Sequence, residues 1–233
     1  MNYKISIIWV VLHLFAIASI VKAKSIDEDR PNIIYILADD LGYGDLGCYG
    51  SLLNNTPNID SLAATGLKMM DFHAAPWCAP SRRALMTGCH ASRPWENSRG
   101  KMGRLADAIT IPEMLKNGGY ATAIIGKWHL GMHLEDYWPT NRGFDTSYGH
   151  MLGGIGYFDH ISSSRMDWHR NEKPLYEDGY STELIANEAV RIIESKDPKR
   201  PLFLYVAFNA PHTPIQAPDQ NIELFSYIED PLD

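Results

Sequence analysis

The amino-acid sequence predicts an α/β fold in which a mainly parallel sheet is flanked by helices. Three apolar runs, residues 33–37, 120–125 and 202–207, contain almost no polar residues. Such runs are typical of strands that are buried on both faces of a sheet. Segments with helical signals lie between them, and strands that alternate with helices form units whose strands run parallel.

The first strand is predicted over Ile33–Leu37, where β-branched and aromatic residues follow one another. It stops at Asp39 and Asp40, and the glycines that follow indicate a loop. A proline at the first helical position and a glycine after the last one predict a short helix over Pro57–Thr65.

The next helix and strand carry equally clear signals. Thr110 and Glu113 have the spacing of a capping box, which predicts a helix that runs to about Asn117, before two glycines. The second strand is predicted over Tyr120–Ile125, and polar residues follow it after Gly126.

A third helix is predicted to begin at Ser181 and to bury one apolar face, formed by Leu184, Ile185, Ala189, Ile192 and Ile193. The last strand, Leu202–Ala207, continues towards His212. The stretch Gly149–Tyr180 shows no regular pattern. It is interpreted either as a surface excursion that shapes a substrate pocket or as a long loop.

Composition excludes several classes of protein. The 233 residues are 45% hydrophobic, which is too apolar for a disordered chain. A formal net charge of −7 argues against a nucleic-acid binder, which would carry a basic patch. Three cysteines are too few for a small scaffold held together by disulfides.

The N-terminus has the pattern of a secretory signal peptide. Lys4 precedes an apolar run over residues 5–21, and small or modest residues precede a cleavage point after Ala23. The alternative is an uncleaved anchor, but the run is short for a span and contains His13. We expect a signal peptide over 1–23, a disordered leader over 24–30 and no membrane span after cleavage.

Polar side chains follow three of the predicted strands at their C-terminal ends. Asp39 and Asp40 follow the first strand, Lys127 and His129 the second, and His212 the last. A single histidine after a strand is more often structural than catalytic. Because ligands bind beyond the carboxyl ends of parallel strands, acid, cation and imidazole groups together at this edge predict an active site.

The sharpest motif is Cys78-Ala79-Pro80-Ser81-Arg82. By itself it also fits a turn and a helix start, with Cys78 as a buried small residue or half of a disulfide. Further blocks accompany it: residues 38–45 (ADDLGYGD), 85–88 (LMTG), 126–131 (GKWHLG), 141–145 (NRGFD) and 209–212 (NAPH). In order and spacing, these blocks resemble the type I, formylglycine-dependent sulfatases, the family of arylsulfatases A and B and related glycosaminoglycan sulfatases, over roughly residues 31–230.

The resemblance implies that Cys78 is converted to formylglycine by the formylglycine-generating enzyme during secretion. One oxygen of the hydrated aldehyde attacks sulfur and displaces the alcohol. The second hydroxyl then loses a proton, expels sulfate and regenerates the aldehyde. This chemistry explains why a thiol is encoded where an oxygen nucleophile is needed. If Cys78 is converted, Cys48 and Cys89 remain, either paired or both free.

The resemblance also implies roles for the polar residues at the strand ends. Asp39, Asp40 and the modified residue 78 would bind Ca²⁺, or alternatively Mg²⁺, since hard carboxylate oxygens suit hard cations. Arg82 would hold the activated side chain, and Lys127 would bind a sulfate oxygen. His129 would act as a base, and His212 would contact the sulfate or the leaving group.

As a whole, the resemblance implies an alkaline-phosphatase-like fold and hydrolysis of sulfate esters on sulfated carbohydrates or aryl sulfates, in the lysosome or outside the cell. It assigns no oligomeric state. Residues 31–233 correspond to the N-terminal part of a sulfatase catalytic domain. A further Asp-Asn metal pair, another sulfate-binding lysine, the later strands and the smaller C-terminal domain are missing, which predicts an exposed apolar sheet edge.

A second departure is Cys89, where the family usually has arginine. The change removes a cation close to the active-site helix, and it either weakens the anchoring of that helix or supplies a disulfide partner for Cys48. Two alternatives to an active sulfatase stay open. One is a truncated, non-catalytic secreted sulfatase-like protein, suggested by the missing metal ligands. The other is a phosphodiesterase or phosphonate hydrolase of the same superfamily, although the motif at Cys78 favours a sulfatase.

Overall fold

A computed structural model describes residues 30–92 and 108–227. The predicted signal peptide and all but the last residue of the predicted leader lie outside these residues. The chain divides after Asn32, and every element below belongs to the unit that begins at Ile33. Within the described ranges, no helix has both the length and the apolar character needed to cross a bilayer.

The helices are α1 (Pro57–Thr65), α2 (Cys78–Thr87), α3 (Ile111–Asn117), α4 (Ser181–Ser195) and α5 (Asp219–Glu223). The strands are β1 (Ile33–Asp39), β2 (Ala121–Lys127), β3 (Thr146–His150), β4 (Ile161–Ser162), β5 (Arg165–Met166), β6 (His169–Arg170), β7 (Lys173–Pro174) and β8 (Leu202–Pro211). Short 3₁₀ turns lie at Tyr43–Asp45, Gly47–Tyr49, Glu135–Tyr137 and Pro139–Arg142.

The described residues form a six-stranded sheet in the order β1-β8-β2-β3-β6-β7, and β4 and β5 form a separate hairpin. β1, β8, β2 and β3 run parallel, whereas β6 and β7 add an antiparallel end. The predicted α/β fold with a mainly parallel sheet is therefore confirmed. Because the four parallel strands end at one edge, the polar residues that follow them are brought together.

Each face of the sheet carries its own hydrophobic core. On one face, α2 and α3 pack over a cluster that includes Trp128, Phe144 and Tyr205. On the other face, α4 covers a cluster that includes Trp168 and Leu204. The helices thereby form layers on both sides of the sheet, as the α/β prediction requires.

The helix predictions agree closely with the structure. α1 and α3 have the predicted bounds, and α3 begins with the predicted reciprocal cap between Thr110 and Glu113. α4 begins at Ser181 as expected and buries Ile185 completely. Ile193, predicted on the buried face, is 40% exposed, because the apolar stripe of α4 is wider than the surface it covers.

The prediction that the first strand is buried on both faces is wrong. Ile34 and Ile36 of β1 are 47% and 62% exposed. β1 lies at the end of the described sheet, and α4 packs over β8, β2 and β3. Ile34 and Ile36 form an exposed apolar strip on the face of β1 that α4 does not cover.

The stretch Gly149–Tyr180, predicted to be irregular, contains short strands as well as turns, and residues between 152 and 163 line a cavity beside His129, which agrees with its interpretation as an excursion that shapes a pocket. β3, which was not predicted, lies beside β2 in the sheet, and the two short hairpins β4–β5 and β6–β7 follow it. Ile155, Tyr157 and Trp168 are at most 2% exposed. Small and aromatic residues alternate in this stretch, so it contains no continuous apolar run that would predict a buried strand.

Gly126 allows the central strands to approach closely just before Lys127. Its φ is +98°, and a Cβ added there would lie 1.9 Å from the carbonyl oxygen of Ala207 on β8. A Cβ added at Gly149 on β3 would likewise lie 2.4 Å from the carbonyl oxygen of Gly126. No side chain fits at this point, so the strand ends that carry the polar residues stay in register.

We expect Gly126→Ala to lower the free energy of unfolding by about 3 kcal/mol or more, because the new methyl group overlaps backbone atoms and the positive φ is unfavourable for alanine. Urea unfolding followed by circular dichroism measures the change. Gly44→Ala is the matched control, since nothing lies within 4 Å of its added Cβ, and it should change stability by less than about 0.5 kcal/mol. Similar losses in the two variants would contradict the close approach.

Candidate active site

The start of α2 places Cys78 beside an imidazole. Trp77 precedes the helix in an extended conformation, with φ −131° and ψ 149°, and Cys78 is its first helical residue. Pro80 is tolerated in the first turn, where a backbone N–H would have no partner within the helix. The Sγ atom of Cys78 lies 3.3 Å from Nδ1 of His129, which follows β2.

A buried cluster of charges lies behind this pair. Lys127 at the end of β2 forms an ion pair with Asp39 at the end of β1, and Arg82 of α2 approaches the second oxygen of Asp39 at 3.3 Å. All three residues are at most 4% exposed. Two cations share one carboxylate, so the cluster keeps an excess positive charge that favours a nearby anion.

Arg82 is held by two further contacts. Its Nη1 atom donates to the carbonyl oxygen of Lys127 at 2.8 Å and to the hydroxyl of Tyr205 at 3.2 Å. Burial raises the pKa of Tyr205 to about 12, so this phenol stays neutral. The buried Nε atom of Arg82 has no hydrogen-bond partner among the described residues.

His129 is kept neutral by its surroundings. Burial, together with the positive charges of Lys127 and Arg82, lowers its pKa to about 4 against the opposing effect of Asp39. A neutral imidazole can accept a proton at Nδ1, where the Cys78 side chain lies. The arrangement therefore pairs a base with the residue that the sequence marks as the nucleophile.

A chain of backbone hydrogen bonds fixes the position of His129. Its φ is +57°, which is uncommon for a residue other than glycine. The N–H of His129 donates to the carbonyl of Met151 at 3.1 Å, and the N–H of Met151 donates to the carboxylate of Asp167 at 3.0 Å. Asp167 is 1% exposed and also accepts the N–H of Leu152 at 2.8 Å.

The second histidine of the site, His212, faces Asp40. Its Nε2 atom lies 3.7 Å from Oδ2 of Asp40, and Asp40 has φ +64° with a largely exposed carboxylate. The hydroxyl of Tyr157 donates to the carbonyl oxygens of Asn209 and His212 at 3.1 Å and 2.8 Å, which fixes the turn that carries the imidazole.

His129 borders two cavities of different character. The first has a volume of about 270 Å³ and a mainly apolar wall that includes Trp77, Cys78 and Leu130. The second has a volume of about 640 Å³ and is lined by several glycines, serines and Asp159. A reacting group at Cys78 and His129 is therefore accessible from outside.

The residues predicted to bind a metal do not form a complete site. Asp39 is engaged by Lys127 and Arg82, and Asp40 is the other predicted carboxylate at this edge. Among the described residues, no group of three or more His, Cys, Asp or Glu side chains is arranged to hold a metal ion. Ca²⁺ takes six to eight oxygen ligands, so this donor set alone does not fit it.

The structure groups the predicted site residues in three sets. Arg82 and Lys127 join Asp39, Cys78 joins His129, and Asp40 joins His212. The hydrogen bonds described for Arg82 lead to Lys127 and Tyr205 rather than to Cys78, the contact expected from the sequence. No disulfide joins Cys48 to Cys89.

Several residues of the site were not predicted. Tyr205 looked like an ordinary strand residue, and Asp167 lies in the stretch without pattern. Gly153 and Gly154 could have been found, because paired glycines often mark a close approach of the backbone. Cβ atoms added at these positions would lie 2.8 Å from the ring of His129 and 3.1 Å from that of His212.

Comparisons with known proteins agree with this geometry. Residues 31–232 match the family described as Sulfatase. Mouse arylsulfatase J is 37% identical over 220 residues, which cover 89% of this chain and 37% of the relative. Human N-acetylgalactosamine-6-sulfatase is 34% identical over 212 residues, which cover 80% of this chain and 41% of the relative.

Solved structures give the same result. Ps i-CgsB, solved in complex with k-i-k-neocarrahexaose, aligns with a TM-score of 0.77 and 36% identity over 87% of this chain and 50% of its own. A protein in complex with its substrate D-glucosamine-2-N,6-O-disulfate aligns with a TM-score of 0.71 and 29% identity, over 87% of this chain and 39% of its own. The chain thus spans half or less of the length of these relatives.

The neutrality of His129 is open to a direct test. In a ring-proton NMR titration we expect its midpoint near pH 4 rather than 6.5. Because the pKa of His129 is lower in the folded state, the unfolded chain binds this proton at a higher pH than the folded chain does. The free energy of unfolding therefore decreases as the pH falls from 6.5 towards 4.

Lys127→Met should raise the pKa of His129, because it removes the largest charge effect on the ring. Lys116→Met, which removes a half-exposed lysine paired with Asp145, is the matched control and should leave the midpoint in place. A wild-type midpoint close to 6.5 would show that the ring is not shielded as the structure implies.

Proposed function

Because this chain belongs to the sulfatase family, we propose that it carries the nucleophile-bearing part of a sulfuric ester hydrolase. The observation that supports this most strongly is the Cys78–His129 pair beside the buried cluster of Asp39, Arg82 and Lys127. It combines an acceptor for a proton with an excess of positive charge, which are the two requirements for displacing an alcohol from a sulfate ester.

The proposed substrates are sulfate esters of sugars, with aryl sulfates as test substrates. The relatives support this choice, since one is an N-acetylgalactosamine-6-sulfatase and another was solved with a disulfated glucosamine as its substrate. The size of the larger cavity, about 640 Å³, is sufficient for a sugar ring.

In the proposed reaction, residue 78 is formylglycine made from Cys78, which supplies a hydrated aldehyde as the oxygen nucleophile. His129 is neutral and lies within hydrogen-bonding distance of this side chain, so it can accept the proton that the nucleophile loses. The hydrogen bond from the His129 N–H to Met151 keeps the imidazole in place.

The buried cations act on the sulfate group. Lys127 and Arg82 together carry one more positive charge than Asp39 neutralises, and they lie in a region from which water is excluded. Fixed charges in such a site stabilise the negative charge that develops on sulfate oxygens without reorganisation. His212, at the end of β8, is placed to contact the sulfate or the departing alcohol.

Asp39 and Asp40 are the residues of this chain that would hold a divalent cation, Ca²⁺ or Mg²⁺, together with residue 78. Bound there, the cation would supply Lewis-acid polarisation of the sulfate. The described residues provide too few ligands for such a site by themselves, so no step above depends on it.

The compartment follows from the proposed modification. The apolar run over residues 5–21 and the cleavage pattern at Ala23 support a signal peptide over 1–23 and entry into the secretory pathway. There the chain would meet the formylglycine-generating enzyme and then reach the lysosome or the extracellular space. Residues 31–233 would form the N-terminal part of the catalytic domain.

The role of Cys78 is tested by secretion of the chain from cells that contain the formylglycine-generating enzyme. Mass spectrometry of the peptide that spans Cys78 should show the aldehyde, and the chain should release a fluorescent phenol from an aryl sulfate. Cys78→Ala should reduce this rate more than about 10³-fold, because the nucleophile is lost.

Cys48→Ala is the matched control, since Cys48 lies in the 3₁₀ turn Gly47–Tyr49 and does not line the cavity shared by Cys78 and His129, and it should retain the rate. A phosphate diester of the same phenol serves as the second substrate. Equal turnover by wild type and Cys78→Ala would overturn the proposal, faster hydrolysis of the phosphate would favour a phosphodiesterase, and no turnover by an aldehyde-containing chain supplied with calcium would favour the non-catalytic alternative.

A further inference from the structure

The larger cavity opens directly onto the imidazole of His129 and borders the backbone beside His212. His129 forms part of its wall, and Thr213, next to His212, forms another part. Gly153 and Gly154 lie against the rings of His129 and His212, and added Cβ atoms would stand 2.8 Å and 3.1 Å from them. Since Gly153 and Gly154 carry no side chain, their backbones pack directly against the two rings, and a group in the cavity can contact His129, which lines it.

The chemistry of the wall is polar but nearly free of cations. Ser162, Ser163 and Gln216 offer hydroxyl and amide groups, which suit the hydroxyls of a sugar. Apart from His129, the only acidic or basic side chain among the described lining residues is Asp159. Arg165 of β5 is exposed but does not line the cavity.

The charge of Asp159 is fixed at the wall. One oxygen of its carboxylate accepts a hydrogen bond from the N–H of Ile161 at 3.0 Å, which is the start of the β4–β5 hairpin. An anionic group inside the cavity would therefore meet a carboxylate and no compensating lysine or arginine from the described wall. The buried cations Lys127 and Arg82 can stabilise one sulfate, at the Cys78 end of the site.

We propose that this cavity is the subsite for the sugar alcohol of the substrate, and that Asp159 makes it select sugars that carry no second anionic group there. The inference rests on the proposed sulfatase function and narrows its substrate class to singly charged sulfated sugars. Sulfated sugars with an additional sulfate or carboxylate on the same ring bind more weakly, because like charges repel across the cavity.

The test uses the full chain with Cys78→Ala, which prevents turnover, and isothermal titration calorimetry. The ligands are N-acetylgalactosamine 6-sulfate and the same sugar carrying sulfates at positions 4 and 6, with inorganic sulfate as a reference. We expect the monosulfated sugar to bind about five- to tenfold more tightly than the disulfated sugar, the size of effect that one like-charge contact in a solvent-facing site produces.

Asp159→Asn should bring the two affinities to within about twofold of each other, because it removes the repelling charge and keeps the shape of the side chain. Asp178→Asn is the matched control: it removes the same charge from an exposed residue outside the cavity, and it should leave the ratio unchanged.

The outcomes separate the two proposals. If the disulfated sugar binds as tightly as the monosulfated sugar, or if Asp159→Asn and Asp178→Asn change the ratio equally, the selectivity of the subsite is overturned while the sulfatase function stands. If both sugars bind no more tightly than inorganic sulfate, the cavity is not the sugar subsite. If none of the three ligands binds, the sulfate site itself fails and the proposed function falls with it.

Discussion

The buried ion cluster of Asp39, Lys127 and Arg82 is the interaction on which the rest of the site depends. It joins the ends of β1 and β2 to the first turns of α2, three segments that are far apart in sequence. Removing one partner from such a cluster leaves a buried charge uncompensated, at a cost of about 3–5 kcal/mol. The cluster therefore holds the nucleophile-bearing helix against the sheet and also supplies the positive charge that an anionic substrate requires.

The same positive charge sets the protonation state of the neighbouring imidazole. Burial and the two cations hold the pKa of His129 far below its ordinary value, so the ring is a base at neutral pH. A protonated ring would attract a sulfate but could not accept a proton from the nucleophile. The charge that would bind the substrate and the group that would activate residue 78 are thus divided between different side chains.

Close backbone packing gives this arrangement its precision. At Gly126 and Gly149 the strands approach so closely that no side chain fits, and the hydrogen bonds between β2 and β3 continue beyond the strands to His129 and Met151. The carboxylate of Asp167 accepts a hydrogen bond from the N–H of Met151 and so fixes its position. The positive φ of His129 persists because these surrounding contacts determine it.

The sequence by itself determined the parallel sheet, the bounds of α1 and α3, and the identity of the polar residues at the strand ends, because periodicity, caps and motifs are local signals. Which of those residues pair with one another was decided only by the tertiary structure: Arg82 lies against Asp39 and Tyr205, and Asp167 supports His129 from a segment with no recognisable pattern. The exposure of β1 also depends on its neighbours rather than on its own apolar residues. Contacts between residues distant in the chain depend on how strands and helices are arranged in space, and no local pattern encodes that arrangement.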